Sequence, residues 1–102
     1  MTIEEKVRQT ASKIGDPWMV LANALKRDIL VKLLELNQIV RKLEEKYGVS
    51  FEDFDKQNLL DRLGHTWDIE EDYYEWDRVV TELRKLEEIL RGIESWRHPW
   101  II

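Results

Sequence analysis

No cysteine occurs among the 102 residues, which removes disulfides, thiolate metal ligands and cysteine nucleophiles together. Glycine and proline are also scarce, with four and two copies standing singly, so neither a phosphate-cradling loop nor an interdomain linker can be read. Long apolar runs are missing from a chain whose mean hydropathy is -0.51. The opening Met1-Thr2-Ile3-Glu4-Glu5-Lys6 has neither a basic n-region nor an apolar h-region. No membrane span and no secretory signal are expected, and the chain is placed in the cytoplasm. The two histidines, His65 and His98, fall in segments read as irregular, and Ser12, Ser50 and Ser95 have plainer roles as surface or cap residues. Nucleophilic catalysis needs a nucleophile, a base and an orienting group, and no such set is recognisable. No catalytic residue, metal ligand or cofactor is assigned, and the chain is read as a binding protein, not an enzyme.

The sequence does hold enough apolar material to fold. At 43% hydrophobic and 36% charged it is too apolar to stay disordered. Its length fits one domain, 1–102, burying about 60–65% of the surface of the unfolded chain. The net charge of -5 is unevenly spread. Residues 1–47 carry +2 and residues 48–102 carry -7; between Glu52 and Asp77, ten carboxylates face only Lys56 and Arg62. Such a surface repels nucleic acid and attracts basic protein.

Helical punctuation organises the rest. Thr2-Ile3-Glu4-Glu5 has capping-box spacing, and Ile3, Val7, Ala11 and Ile14 follow as one apolar stripe, predicting a helix within 1–15 that Gly15 stops in a left-handed conformation. Asp16-Pro17 reads as an N-cap followed by proline at the first helical position. Nothing then breaks the chain over 17–47, a helix of about 46 Å. Its seam is Ile29, Leu33, Leu36, Val40, Leu43 and Tyr47, and Leu30, Val31 and Leu34 make its middle apolar on a further face. Gly48 ends it. Ser50 with Asp53, and Val49 with Phe54, give a capping box and a hydrophobic staple for a short helix over 51–63, closed by Gly64. His65-Thr66-Trp67 is read as a connection and Asp68 as the cap of a second long helix over 69–92, with Ile69, Tyr73, Trp76, Val80 and Leu83 on its seam. A Trp-rich tail, 93–102, follows. The expected fold is all-α: an antiparallel hairpin of two long helices with two shorter accessory helices. Seams of this kind pack on each other, on a second copy, or both, so homo-oligomerisation through the long helices is expected.

Three further constellations bear on function. Glu52 with Asp55, and Asp72 with Glu75, are carboxylate pairs at i, i+3, a spacing that suits Mg²⁺ and is used by all-α nucleotide pyrophosphohydrolases. Carboxylates in the first turn of a helix are also expected for dipole reasons, and this enzyme reading stays a remote alternative. The lysines and arginines of 17–47 are interspersed with acids and lack a flanking arm, which argues against nucleic-acid binding. Five tryptophans are the unusual feature, since tryptophan is enriched at interface hot spots. Trp76 falls on a core seam, whereas Trp96 and Trp100 are candidates for partner contact or for folding back.

Glu44-Glu45-Lys46-Tyr47-Gly48-Val49-Ser50-Phe51-Glu52-Asp53-Phe54, then Trp67-Asp68-Ile69-Glu70-Glu71-Asp72-Tyr73-Tyr74-Glu75-Trp76, resembles a group of small archaeal and bacterial type II antitoxins. They share a helix ending in Lys-Tyr-Gly, a Ser-capped turn with Glu and Phe, and an acidic stretch ending in Glu-Trp. The resemblance covers roughly 43–90. It implies a stable complex with a ribonuclease-type or nucleotidyl-transfer toxin, neutralised by occlusion. A toxin that grips RNA has a basic cleft, and Glu70, Glu71, Asp72, Tyr74, Glu75 and Asp77 are the residues expected to enter it, imitating a phosphate backbone with an aromatic anchor. The alternative is a self-associating helical scaffold or a subunit of another complex.

Overall fold

The computed structural model describes residues 1–96, among which there are five helices and no strand. α1 is Ile3–Ser12, α2 Pro17–Tyr47, α3 Phe51–Lys56, α4 Leu59–Arg62 and α5 Trp67–Glu94. No helix among the described residues is long and apolar enough to cross a membrane.

Local chemistry sets most boundaries. Thr2 Oγ1 accepts from the Glu5 N–H at 3.1 Å, and one Asp16 carboxylate oxygen accepts from the N–H groups of Trp18 and Met19 at 2.9 and 3.2 Å. Each such cap satisfies donors that a helix start leaves orphaned, and contributes about 1 kcal/mol. Gly48 ends α2 at φ +70°, its N–H bonded to the Glu44 carbonyl at 2.7 Å. Ser50 Oγ then accepts from the Asp53 N–H at 3.2 Å and starts α3.

Four boundaries differ from the sequence reading. Gly15 is not left-handed; α1 stops at Ser12 because the N–H groups of Lys13 and Ile14 bond three residues back and tighten the last turn. The single helix expected over 51–63 is two, divided where Asn58 takes φ +50°, a left-handed conformation that asparagine tolerates better than most residues. α5 begins two residues early, since Thr66 Oγ1 and not Asp68 caps it by accepting from the Ile69 N–H at 3.4 Å. It also runs through Gly92 to Glu94, taking in two residues assigned to the tail. Trp100 lies outside the described residues.

α2 and α5 pack antiparallel. Just before the midpoint of α2, Ile29 clusters with Leu86 and Ile93 from the second half of α5; near its finish, Leu43 clusters with Trp76 and Phe54. The predicted seams therefore meet within one chain. Val79 and Trp76 are fully enclosed and Leu83 nearly so, following the 3.6-residue stripe. α3 and α4 fold over the closed end of this hairpin, adding Phe51, Phe54, Leu59 and Leu60 to the core there. At the other end α1 packs on α2, but only Ala11 of its stripe is buried; Ile3 and Ile14 remain about three-quarters exposed. A ten-residue helix laid on one neighbour covers only the middle of its apolar row. The result is a slab of 59 × 29 × 19 Å.

Candidate functional site

The acidic block of the sequence is the closed end of the hairpin, and much of its charge is used internally. Asp72 Oδ2 accepts from Lys46 Nζ and from the Tyr47 hydroxyl, both at 2.5 Å, tying α5 to the last turn of α2. Burial works against charge on Asp72, but those two bonds together outweigh it and hold its pKa below the ordinary carboxylate value. Burial first, and then the bond to Asp72, pushes Tyr47 up to about 12. Tyr73 donates its hydroxyl to Asp55 Oδ1 at 3.0 Å, joining α5 to α3, and Arg84 lies 3.6 Å from Glu52. At the turn into α5, His65 places Nδ1 3.1 Å from Glu70 Oε1 and Nε2 against Asp61 Oδ1. The bonds to Asp61 and then Glu70 raise its pKa above the usual histidine value.

This geometry separates the carboxylates read as possible metal pairs. Glu52 faces Arg84, Asp55 faces Tyr73 and Asp72 faces Lys46 and Tyr47, so the three are drawn to three different partners. His65 holds Asp61 and Glu70 on opposite ring nitrogens, whereas ligands of one ion converge on it. Among the described residues no three His, Asp or Glu side chains form a group able to hold a metal.

Behind the carboxylates stands a cluster of rings. Trp76 is fully buried, with Phe54, Phe51 and Tyr47 at centroid distances of 5.4, 5.5 and 5.8 Å. Ring pairs of this kind add about 0.5–1.5 kcal/mol each beyond their buried area. The Trp76 indole N–H has no hydrogen-bond partner among the described residues, a cost of about 1–3 kcal/mol. Phe51 continues to Tyr73 at 5.7 Å, and Tyr73 meets Tyr74 edge-on at 5.7 Å. Tyr74 is 66% exposed. The rings thus lead from the core out to the surface.

Of the six residues expected to enter a basic cleft, Glu70 and Asp72 are engaged within the chain. Glu71, Tyr74, Glu75 and Asp77 are exposed. Because α5 starts at Trp67, that tryptophan joins them: Trp67, Glu71, Tyr74 and Arg78 step by four, three and four, and Trp67, Glu70, Tyr74 and Asp77 by three, four and three. Trp67 is 73% exposed. Reading His65-Thr66-Trp67 as a connection missed it; the hydroxyl of Thr66, with Asp68 and Glu70 in the turn that follows, was the signal available. Trp96, 58% exposed, lies beyond the last turn of the same helix.

Two other surfaces are open. α1 and the first turns of α2 frame a groove of about 560 Å³ lined by Ile3, Val7, Trp18 and Leu21, with Glu4, Glu5 and Arg8 on its rim. Leu30, Val31 and Leu34, between 50% and 66% exposed, lie on the side of α2 turned away from α5.

Comparison with curated proteins and with solved structures gives no significant match. The chain does match a family model over residues 1–98, and it belongs to the Uncharacterized protein MJ0235 family.

Proposed function

We propose that this chain is an antitoxin-like binding module whose outer α5 face docks in the basic cleft of a toxin-type protein and neutralises it by occlusion. The observation that carries the reading is Tyr74. It is two-thirds exposed, yet its ring rests edge-on against Tyr73, whose hydroxyl is fixed to Asp55. An aromatic side chain already ordered before contact loses little rotamer freedom on binding. Glu71, Glu75 and Asp77 stand around it, and such an arrangement suits a cationic partner by steering and by repelling wrong partners. Trp67 adds a second ring one heptad earlier on the same face. The partner is a basic protein; no cofactor, metal, membrane or nucleic acid enters the proposal.

Isothermal titration of the chain against the product of the adjoining gene, at two ionic strengths, tests this. Glu71→Lys with Glu75→Lys is expected to weaken binding at least tenfold and to flatten its salt dependence, and Tyr74→Ala to weaken it without changing that dependence. Asp72 is left intact, because its loss would disturb the α2–α5 tie. Wild-type chain that fails to bind would retire the proposal, and equal affinity of the charge-reversed protein would remove this face from it.

A further inference from the structure

We propose that the chain pairs with a second copy of itself, antiparallel, through the back of α2. Leu30, Val31 and Leu34 are 50%, 53% and 66% exposed and adjoin one another at i, i+1 and i+4. They face away from α5 and cannot be covered by the hairpin. α2 runs Pro17–Tyr47, so its midpoint is Lys32, and Leu30 and Leu34 stand symmetrically on either side. A two-fold axis at that level sets Leu30 against Leu34 of the partner copy and the reverse, which is the self-complementary contact a closed dimer requires. Lys32 itself projects from the opposite side of α2, where it pairs with Asp28, so no charge stands at the axis.

Charge selects both the occupant and the direction. The chain is acidic overall, and an acidic chain meets itself best where acid is scarce. The row along this back is Asn23, Arg27, Leu30, Leu34, Gln38 and Arg41, spaced by threes and fours as a helix partner needs. In a parallel pair Arg27 and Arg41 would each face their own copies. In the antiparallel pair about Lys32, Arg27 falls opposite Asn37 and Arg41 opposite Asn23, so every cation meets an amide. Pairing here leaves the outer face of α5 open on both copies and does not depend on what that face binds.

Light scattering on the full chain after gel filtration is expected to give the mass of two copies. Leu30→Glu with Leu34→Glu is expected to give one copy with unchanged helical circular dichroism, since both side chains lie at the surface. A wild-type monomer, or a double variant that remains dimeric, overturns the proposal. The absence of native cysteine allows direction to be read as well: Arg27→Cys mixed with Asn37→Cys is expected to form the mixed disulfide. Ready self-linking of Arg27→Cys would mean a parallel pair and would overturn the arrangement.

Discussion

The two ends of the hairpin are built on different principles. At the closed end α3 and α4 cover the α2–α5 seam, rings fill the core, and three hydroxyl or ammonium groups cross-link helices through Asp72 and Asp55. At the open end the described neighbours of Ile29, Leu86 and Ile93 are aliphatic, and α1 leaves Ile3, Ile14 and half of Trp18 exposed. One end is closed in three directions and the other is a thin layer. Enclosure, not apolar content, distinguishes them: the open end carries abundant large side chains, but among the described residues its third helix, α1, packs chiefly on α2 and leaves them uncovered.

The largest expected contrast between the ends is a pair of truncations. Trp76→Ala should cost about 3–5 kcal/mol, and Ile93→Ala should sit near the lower end of the 2–5 kcal/mol usual for buried isoleucine, because its thin surroundings collapse more readily. Urea midpoints of the two variants measure it; equal losses would mean that the ends are equally well packed. Next comes Gly48→Ala. Among the described residues no atom beyond the adjoining residues lies within 4 Å of the added Cβ, so the expected loss of about 1–2 kcal/mol is the left-handed backbone penalty alone, again read from the urea midpoint. Removing caps gives a smaller contrast: Ser50→Ala should lower global stability by about 1 kcal/mol, whereas Thr2→Ala should fray α1 and leave the main thermal transition almost unmoved.

A still smaller effect depends on pH. His65 has its pKa raised in the folded chain by Asp61 and Glu70, so its contribution is fully present below the unfolded value of about 6.5 and is lost as pH rises through the folded value. The melting temperature of wild type should therefore exceed that of His65→Ala most near pH 6 and converge with it at higher pH. A gap that widens with pH would contradict the bonding seen at this turn. The least effect is expected at Ile14→Ser: about 0.5 kcal/mol or less, as for other exposed positions.

Periodicity made the long helices and their facing seams legible in the residues, because an apolar step of three and four has one geometric meaning over eight turns. Caps with a side-chain oxygen at the right spacing, Thr2, Asp16 and Ser50, were equally readable. What escaped were features that depend on three-dimensional company. Asn58 divides α3 from α4 by a backbone conformation that leaves no periodic trace. Ile3 and Ile14 look like core residues until the number of neighbours around α1 is known. Within the candidate site, Glu71, Tyr74, Glu75 and Asp77 could be placed on a helix from the sequence. That Glu70 and Asp72 are already bonded to His65 and to Lys46 and Tyr47 could not, since those partners come from other elements.

The antiparallel course of α2 and α5 also bears on the order in which contacts can form. Leu43, Phe54 and Trp76 are brought together by closing a modest stretch of chain, whereas Ile29 and Ile93 lie much further apart along it, and closure entropy rises with that separation. Once the ring cluster has formed, the open end is joined through a rod instead of through free chain, and each further rung costs little. Folding that zips in this direction implies fraying in the reverse one, with amide protons near Ile93 exchanging before those near Trp76.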